Sequence, residues 1–304
     1  MFDLGFVSAI FSEKTFEEVI DFASDNGFAC VELMCWPKGK AERRYAGVTH
    51  IDADELNDEA IKSIQDYLQK KKVYISALGY YPNPLDPDAE KRDVYISHLK
   101  KVIRTASLLN VPVVNTFIGR DQYKSMEENL ELFKLHWPPV IQYATSLKIK
   151  IGIENCPMFF TNDEWPGGKN MAISPYVWNQ LFSHIPNSYF GLNYDPSHLL
   201  WQQINYLDPL LEFKDKLFHI HLKDARIHKE KLDRLGILVT PLEFHSPKLP
   251  GLGDIDWKSF FFNLKASGYK GPVVIEFEDK AFEDTKENVV RGLLQARDYI
   301  LQFL

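Results

Sequence analysis

Three cysteines, Cys30, Cys35 and Cys156, are too few and too oddly numbered to staple a chain of 304 residues. A disulfide framework is excluded, and the thiols fit a reducing compartment. No run of about 18 apolar residues occurs, so no membrane span is expected. The opening stretch, MFDLGFVSAIF, lacks a basic n-region and carries Asp3 within its apolar part, unlike a secretory signal. These absences together lead us to expect a cytoplasmic protein. Positive charge is also short: 35 Lys and Arg stand against 42 Asp and Glu, for a net charge of −7. Such a chain lacks the broad positive field that supplies non-specific nucleic-acid affinity. There is no GxGxxG after the first candidate strand, which argues against a doubly wound dinucleotide fold. Low-complexity linkers and recognisable internal repeats are missing too, which favours one domain over residues 1–304.

What the chain does contain is alternation. Short apolar, β-branched runs are spaced by stretches with helical period, the pattern of repeated βα units around a parallel sheet. The expected strands are Phe2–Val7, Cys30–Leu33, Tyr74–Leu78, Val113–Ile118, Lys150–Glu154, Phe190–Asp195, Phe218–Leu222 and Pro272–Phe277. Between them the apolar spacing predicts helices over Thr15–Asn26, Asp54–Lys71 (with Asp52 and Asp54 as caps), Arg92–Leu109, Met126–Leu147, Pro175–Ser183, Asp256–Ser267 and Asn288–Leu304. Eight strands in about 300 residues is the arithmetic of a closed (β/α)8 TIM barrel. Two stretches, Thr161–Met171 and Lys229–Pro250, read as insertions after strands five and seven, on the face where barrels build their sites.

The strand ends carry the chemistry. Glu154 closes strand five, Asp195 strand six and Glu276 strand eight, while His221 lies in strand seven. One glutamate at a strand end is most often a cap or an ion-pair partner, and one histidine in an apolar strand a core residue. Four such residues on successive strands of a barrel converge on its axis, within reach of one ion. Three carboxylates and an imidazole suit Mn²⁺, Mg²⁺ or Co²⁺ better than a thiolate-preferring metal. His219 shares the parity of His221 and is expected one layer deeper. Glu32 either faces the site or anchors a loop. Arg120 reads as a hydroxyl-binding group or a rim ion-pair partner. Trp36, Tyr80 and Trp257 are core or apolar walls, and Cys156 is packing.

Taken in order, Glu154-Asn-Cys-Pro, Asp195-Pro-Ser-His198, His219-Ile-His221-Leu-Lys-Asp224, Pro250-Gly-Leu-Gly-Asp-Ile-Asp-Trp257 and Glu276-Phe-Glu-Asp279 resemble the xylose-isomerase-like sugar isomerase/epimerase family. The likeness covers nearly the whole chain and is densest from residue 150 onward. It implies a TIM barrel holding one divalent ion, usually Mn²⁺, on Glu154, Asp195, His221 and Glu276. It also implies that Glu154 and Glu276 act as the catalytic pair, one removing a proton beside a carbonyl and the other returning it through a cis-enediolate. His198 matches a substrate-contacting histidine. Lys223 and Arg226, like Arg120, are candidate substrate-binding residues for hydroxyls or a carboxylate, or else rim ion-pair partners.

The chain departs from the ketose 3-epimerases in two places. Arg226 stands five residues after His221 where they place an arginine six after, and Phe160 replaces an expected glutamate. The Leu-Lys-Asp run after His221 is closer to branches containing inositol-pathway enzymes and enzymes of oxidised sugars. The resemblance thus implies an isomerase or epimerase of a small keto-sugar or sugar derivative, with a lyase of keto-inositols or 3-keto-glycosides as the alternative. It leaves self-association of the chain open. The endonuclease IV relatives of this fold need further histidines after strands three and four. Here those ends read Leu78-Gly-Tyr-Tyr and Asn115-Thr-Phe, so DNA repair is not expected.

Overall fold

Thr15 begins the first helix for a local reason. Its hydroxyl accepts from the Glu18 amide while the Glu18 carboxylate accepts from the Thr15 amide. Both otherwise unpaired donors are thereby satisfied. In the computed structural model, which describes residues 2–39, 46–159 and 161–304, this pattern of strand followed by capped helix repeats around a ring. In chain order the strands and main helices are β1 (Leu4–Val7), α1 (Phe16–Asp25), β2 (Cys30–Met34), α2 (Asp58–Lys71), β3 (Tyr74–Gly79), α3 (Ala89–Leu109), β4 (Val113–Thr116), α4 (Met126–Ser146), β5 (Lys150–Glu154), α5 (Pro175–His184) and β6 (Phe190–Tyr194). Then come α6 (Pro196–Trp201), α7 (Asp208–Glu212), β7 (Leu217–Leu222), β8 (Asp224–Ile227), α8 (Lys229–Leu235), β9 (His245–Lys248), α9 (Trp257–Ala266), β10 (Val273–Ile275) and α10 (Lys286–Ile300).

Eight of these strands close a parallel barrel in the order β1-β10-β7-β6-β5-β4-β3-β2. The registers bring β5 beside β6, with Glu154 opposite Asn193, and β7 beside β10, with His221 opposite Val274. This is the expected single-domain (β/α)8 barrel, and every expected strand is one of its staves. The apolar faces of the helices pack on the outside of the ring, where Val19, Ile20, Val102, Ile103, Phe133, Trp178 and Phe260 are essentially free of solvent. Burying one such aliphatic or aromatic side chain contributes about 1.5–3 kcal/mol before entropy is counted.

Two local expectations are corrected. The α2 cap is Asn57, whose side chain accepts from the Ala60 amide. Asp52 and Asp54 lie in the preceding turn, where Asp52 accepts from the Asp54 amide and pairs with Lys38 at 2.8 Å. The stretch Lys229–Pro250 is more than a loop. β8 and β9 pair antiparallel, Asp224 opposite Lys248 and Ile227 opposite His245, as a two-stranded arm carrying α8 at its tip.

Asp224 holds that arm. Its Oδ1 accepts from the amides of Ala225 (2.9 Å) and Ile255 (3.0 Å), and its Oδ2 from the Gly251 amide (3.1 Å) and Trp257 Nε1 (2.9 Å). One buried carboxylate thus ties the end of β7 to the loop entering α9. Gly253 is required beside it, because a Cβ there would collide with the Asp224 carboxylate. Among the described residues, no helix is long and apolar enough to cross a membrane.

Candidate metal centre and pocket

The C-terminal ends of β5, β6, β7 and β10 meet around the barrel axis. Glu154 is the last residue of β5, Asp195 follows β6, His221 is the penultimate residue of β7, and Glu276 follows β10. Ligand-type atoms of Glu154, His221 and Glu276 all lie within 4.8 Å of one another. His221 Nδ1 is 3.2 Å from Glu276 Oε2 and 3.9 Å from Glu154 Oε1. Asp195 joins them through Lys223, whose Nζ is 3.1 Å from Asp195 Oδ2, 2.8 Å from Glu276 Oε2 and 3.3 Å from Glu278 Oε2.

Asp195 is held on its other side. Its Oδ1 accepts from the Ser197 amide at 2.7 Å, as the cap of α6, and its backbone exchanges two hydrogen bonds with the Asn155 side chain. Its buried Oδ2 makes no well-aligned hydrogen bond. His198, one turn into α6, stands 3.3 Å from that oxygen and 3.6 Å from Glu154 Oε1. Both His198 ring nitrogens are buried without a hydrogen-bond partner.

Beneath this cluster a buried polar layer fixes His221. Glu32, on β2 and free of solvent, has Oε2 at 2.8 Å from His221 Nε2. The same oxygen accepts from Asn115 Nδ2 at 3.0 Å, and Oε1 accepts from the Tyr81 hydroxyl. A carboxylate only accepts, so Nε2 carries a proton and Nδ1 is the nitrogen turned toward Glu154 and Glu276. His219 lies one layer deeper, as expected, with Nδ1 3.1 Å from Asn193 Oδ1 and Nε2 3.1 Å from Ser76 Oγ. Gly79 leaves room for the arrangement, since a Cβ there would lie 2.6 Å from Glu32 Oε1.

The electrostatics follow from five carboxylates (Glu32, Glu154, Asp195, Glu276 and Glu278) gathered around Lys223 and three histidines, His198, His219 and His221. Burial pushes Glu154 up to about 7, with the neighbouring Glu276 adding to the rise. Burial likewise raises Asp195 to about 6, against the pull of Lys223. For Glu276, burial is outweighed by Lys223 and His221, which hold it well below the usual carboxylate range. Burial opposes charge on Lys223 and His221, yet the surrounding carboxylates keep both protonated to unusually high pH. A buried surplus of negative charge is relieved either by protonation or by a cation. With three oxygen donors and one imidazole converging, and one ammonium, Lys223, shared among Asp195, Glu276 and Glu278, these residues fit a hard or borderline divalent ion.

A cavity with about 150 Å³ of room for water opens over the cluster. Its floor is Glu154, His198, His221, Lys223 and Glu276, and its walls include Trp36, Tyr81, Phe117, Phe159, Trp201, Leu242 and His245. Among the described residues, Lys223 is the one lysine or arginine that lines it. Arg226 is placed elsewhere. It is an exposed residue of β8, 3.2 Å from Asp254 Oδ1 and donating to the Leu252 carbonyl, and it does not line the cavity. Arg120 donates to the Gly167 carbonyl away from the cavity. Tyr80 and Trp257 are core residues, whereas Trp36 is a wall. Phe160 lies outside the described residues. Sequence reasoning passed over Glu278, although its parity with Glu276 was a usable signal. It also passed over Asn115, Asn193 and Tyr81, whose polar groups in otherwise apolar strands mark the layer under His221.

Residues 20–299 match the profile of the xylose isomerase-like TIM barrel family. The chain belongs to that family. YfiH, an uncharacterized protein of Bacillus subtilis strain 168, is 26% identical over 303 residues, spanning 91% of this chain and 92% of that protein. Inosose dehydratase of Lactiplantibacillus plantarum is 31% identical over 128 residues, 41% of this chain and 42% of that enzyme. Among solved structures, the IolI protein with a bound zinc atom superposes with a TM-score of 0.73 at 17% identity, covering 99% of each chain. D-psicose 3-epimerase, solved in the presence of D-fructose, gives 0.70 at 13% identity, again over 99% of each. These structural likenesses establish the barrel, and two of the proteins named, the inosose dehydratase and the D-psicose 3-epimerase, are sugar-modifying enzymes.

Proposed function

We propose that the protein is a divalent-metal-dependent enzyme that removes a proton beside the carbonyl of a small keto-sugar or sugar derivative and returns it elsewhere, as an isomerase or epimerase. The observation that carries this reading is the convergence of Glu154, His221 and Glu276 within 4.8 Å at the mouth of the barrel, with Asp195 joined through Lys223. Glu154, Asp195, His221 and Glu276 would hold the ion, with Mn²⁺ favoured and Mg²⁺ or Co²⁺ as further fits. When bound, the metal supplies Lewis acidity toward the carbonyl oxygen.

The remaining steps belong to the chain. Glu154, raised to about 7 by burial and by Glu276, is tuned to take and release a proton near neutral pH. Glu276, kept ionised by Lys223 and His221, is the partner carboxylate. The two unpartnered nitrogens of His198 are available to substrate hydroxyls, and the protonated Lys223 can neutralise developing negative charge on the substrate. The walls of Trp36, Phe117, Phe159 and Trp201 exclude water and offer apolar surface to a sugar face. A small carbohydrate, rather than a nucleic acid, suits this cavity and the −7 net charge.

A second reading is a lyase acting on a keto-inositol or 3-keto-glycoside. It is favoured by Lys223, whose ammonium stands 2.8 Å from Glu276 and can protonate a departing oxygen, and by the likeness to inosose dehydratases. One experiment separates the readings. The protein, loaded with Mn²⁺, is incubated in D₂O with a panel of ketoses, keto-inositols and 3-keto-glycosides, and products are read by mass spectrometry and NMR. Deuterium incorporation without loss of a group supports isomerisation or epimerisation. Deuterium exchange accompanied by loss of water or an alcohol supports the lyase. The absence of metal-dependent exchange across the panel rejects both.

A further inference from the structure

A second group of donors lies in the same cavity and shares Glu154 with the set just assigned. Atoms of Glu154, Cys156 and His198 are mutually within 4.8 Å, one oxygen, one sulfur and one nitrogen. All three residues line the cavity. His198 is more than nine-tenths buried, and neither of its nitrogens has a hydrogen-bond partner. Its Nε2 has only the carboxylates of Asp195 (3.3 Å) and Glu154 (3.6 Å) nearby, without a formed hydrogen bond, and a ligand that coordinates a ring nitrogen removes the cost of leaving it unbonded. Cys156 is a free cysteine, half-buried, with its sulfur fixed by the Met158 amide at 3.4 Å. Cys30 and Cys35, by contrast, are fully buried in the barrel.

The geometry is supported from behind. The Asn170 side-chain amide donates to the carbonyls of both Glu154 (3.0 Å) and Cys156 (2.7 Å), so one group sets the positions of two of the three donors. Asn170 is itself buried, and its Oδ1 accepts from the Gly119 amide. Donors held by such outer contacts are prepared for coordination.

We propose that Glu154, Cys156 and His198 form a second metal site, selective for thiophilic divalent cations such as Zn²⁺ or Cd²⁺. Three protein ligands of mixed O, S and N type, with a position left toward the cavity, is a set that zinc takes and that Mg²⁺ and Mn²⁺ avoid. Binding forms the sulfur–metal bond as the thiol proton leaves to solvent, so uptake releases one proton from Cys156. The site shares Glu154 with the hard-donor set, and occupation of one therefore alters affinity at the other. Its existence does not depend on which reaction the enzyme performs.

The test is a titration of the intact protein with Co²⁺ alone, read by near-ultraviolet absorption, in which a cobalt–thiolate bond gives an intense charge-transfer band. The parent protein is expected to develop the band. Cys156→Ser is expected to lose it while binding Mn²⁺ as the parent does, and His198→Asn to need at least about tenfold more Co²⁺ to reach it. Glu276→Gln, which weakens the hard site, is expected to keep the band. Should Cys156→Ser fold poorly, Cys156→Ala serves the same purpose. A parent protein that saturates with Co²⁺ without the band overturns the proposal. So does a band that survives loss of Cys156, or one indifferent to His198.

Discussion

Glu32 and His221 are 189 residues apart in sequence and 2.8 Å apart in the barrel, carboxylate oxygen against Nε2. The contact fixes which nitrogen of His221 faces Glu154 and Glu276. Glu32→Gln keeps the size of the side chain but presents a neutral amide to the imidazole. It is expected to weaken Mn²⁺ binding by about 10- to 100-fold, with the fold intact by circular dichroism. Isothermal titration calorimetry checks this, and an unchanged affinity would remove Glu32 from the account.

Lys223 makes the opposite prediction for metal. Its ammonium occupies Asp195 Oδ2 and Glu276 Oε2, and it repels a cation approaching the same oxygens. Lys223→Met is expected to bind Mn²⁺ at least as tightly as the parent. If Lys223 serves in turnover, the same variant loses about 10²- to 10⁴-fold in kcat on whichever substrate the exchange screen identifies. A loss of metal affinity in this variant would mean that Lys223 merely holds the site together.

Asp224 accepts four hydrogen bonds while buried. Asp224→Ala leaves four donors without a partner. It is expected to cost about 3 kcal/mol or more of stability in urea unfolding, and Gly253→Ala is expected to destabilise through the same contact. Limited proteolysis should then cut first within 228–244. A variant with parent-like stability and cleavage would show that the arm is held elsewhere.

His245, in β9, stacks on Trp201 with ring centroids 4.9 Å apart, and burial pulls it down to about 4. The sign follows directly. Above the unfolded-state value of about 6.5, both states leave it neutral and nothing is lost. As pH falls from there toward 4, the unfolded chain takes up a proton that the folded one refuses, and stability declines. The ceiling for this one residue is on the order of 3 kcal/mol. His245→Asn is expected to flatten part of the acid-side stability curve, compared by slope because the ring stacking is lost as well. An unchanged slope would exclude His245 as a contributor.

The barrel was legible because its staves are runs such as Cys30–Met34 and Phe190–Tyr194, whose buried faces demand apolar, branched residues. The centre was legible because Glu154, Asp195 and Glu276 interrupt that apolarity at one end of each strand. Interactions between distant segments were not. The pairing of β8 with β9 is carried by His245-Ser-Pro-Lys248, which has no alternation of apolar residues and includes a proline. Arg226 has the charge and spacing of a site residue, yet the arm turns it outward to Asp254. The α2 cap was misplaced because three candidates, Asp52, Asp54 and Asn57, stand within six residues. Only backbone geometry chooses between them.

The arm between β7 and α9 leaves the barrel and returns to it at two buried carboxylates, Asp224 and Asp279, the latter accepting from Lys248 Nζ at 2.7 Å and from the Leu249 amide. Residues 228–244 lie between these ties, so both anchors stay in place when that segment changes. Residues 228–244 can thus lengthen, shorten or change character at small expense to the ring below, while Leu242 and His245 bring each change to the mouth of the cavity. Ancestry can preserve the barrel and its acidic centre while this one excursion is rewritten. For the same reason, it is the segment to graft when a different substrate is wanted from an otherwise untouched scaffold.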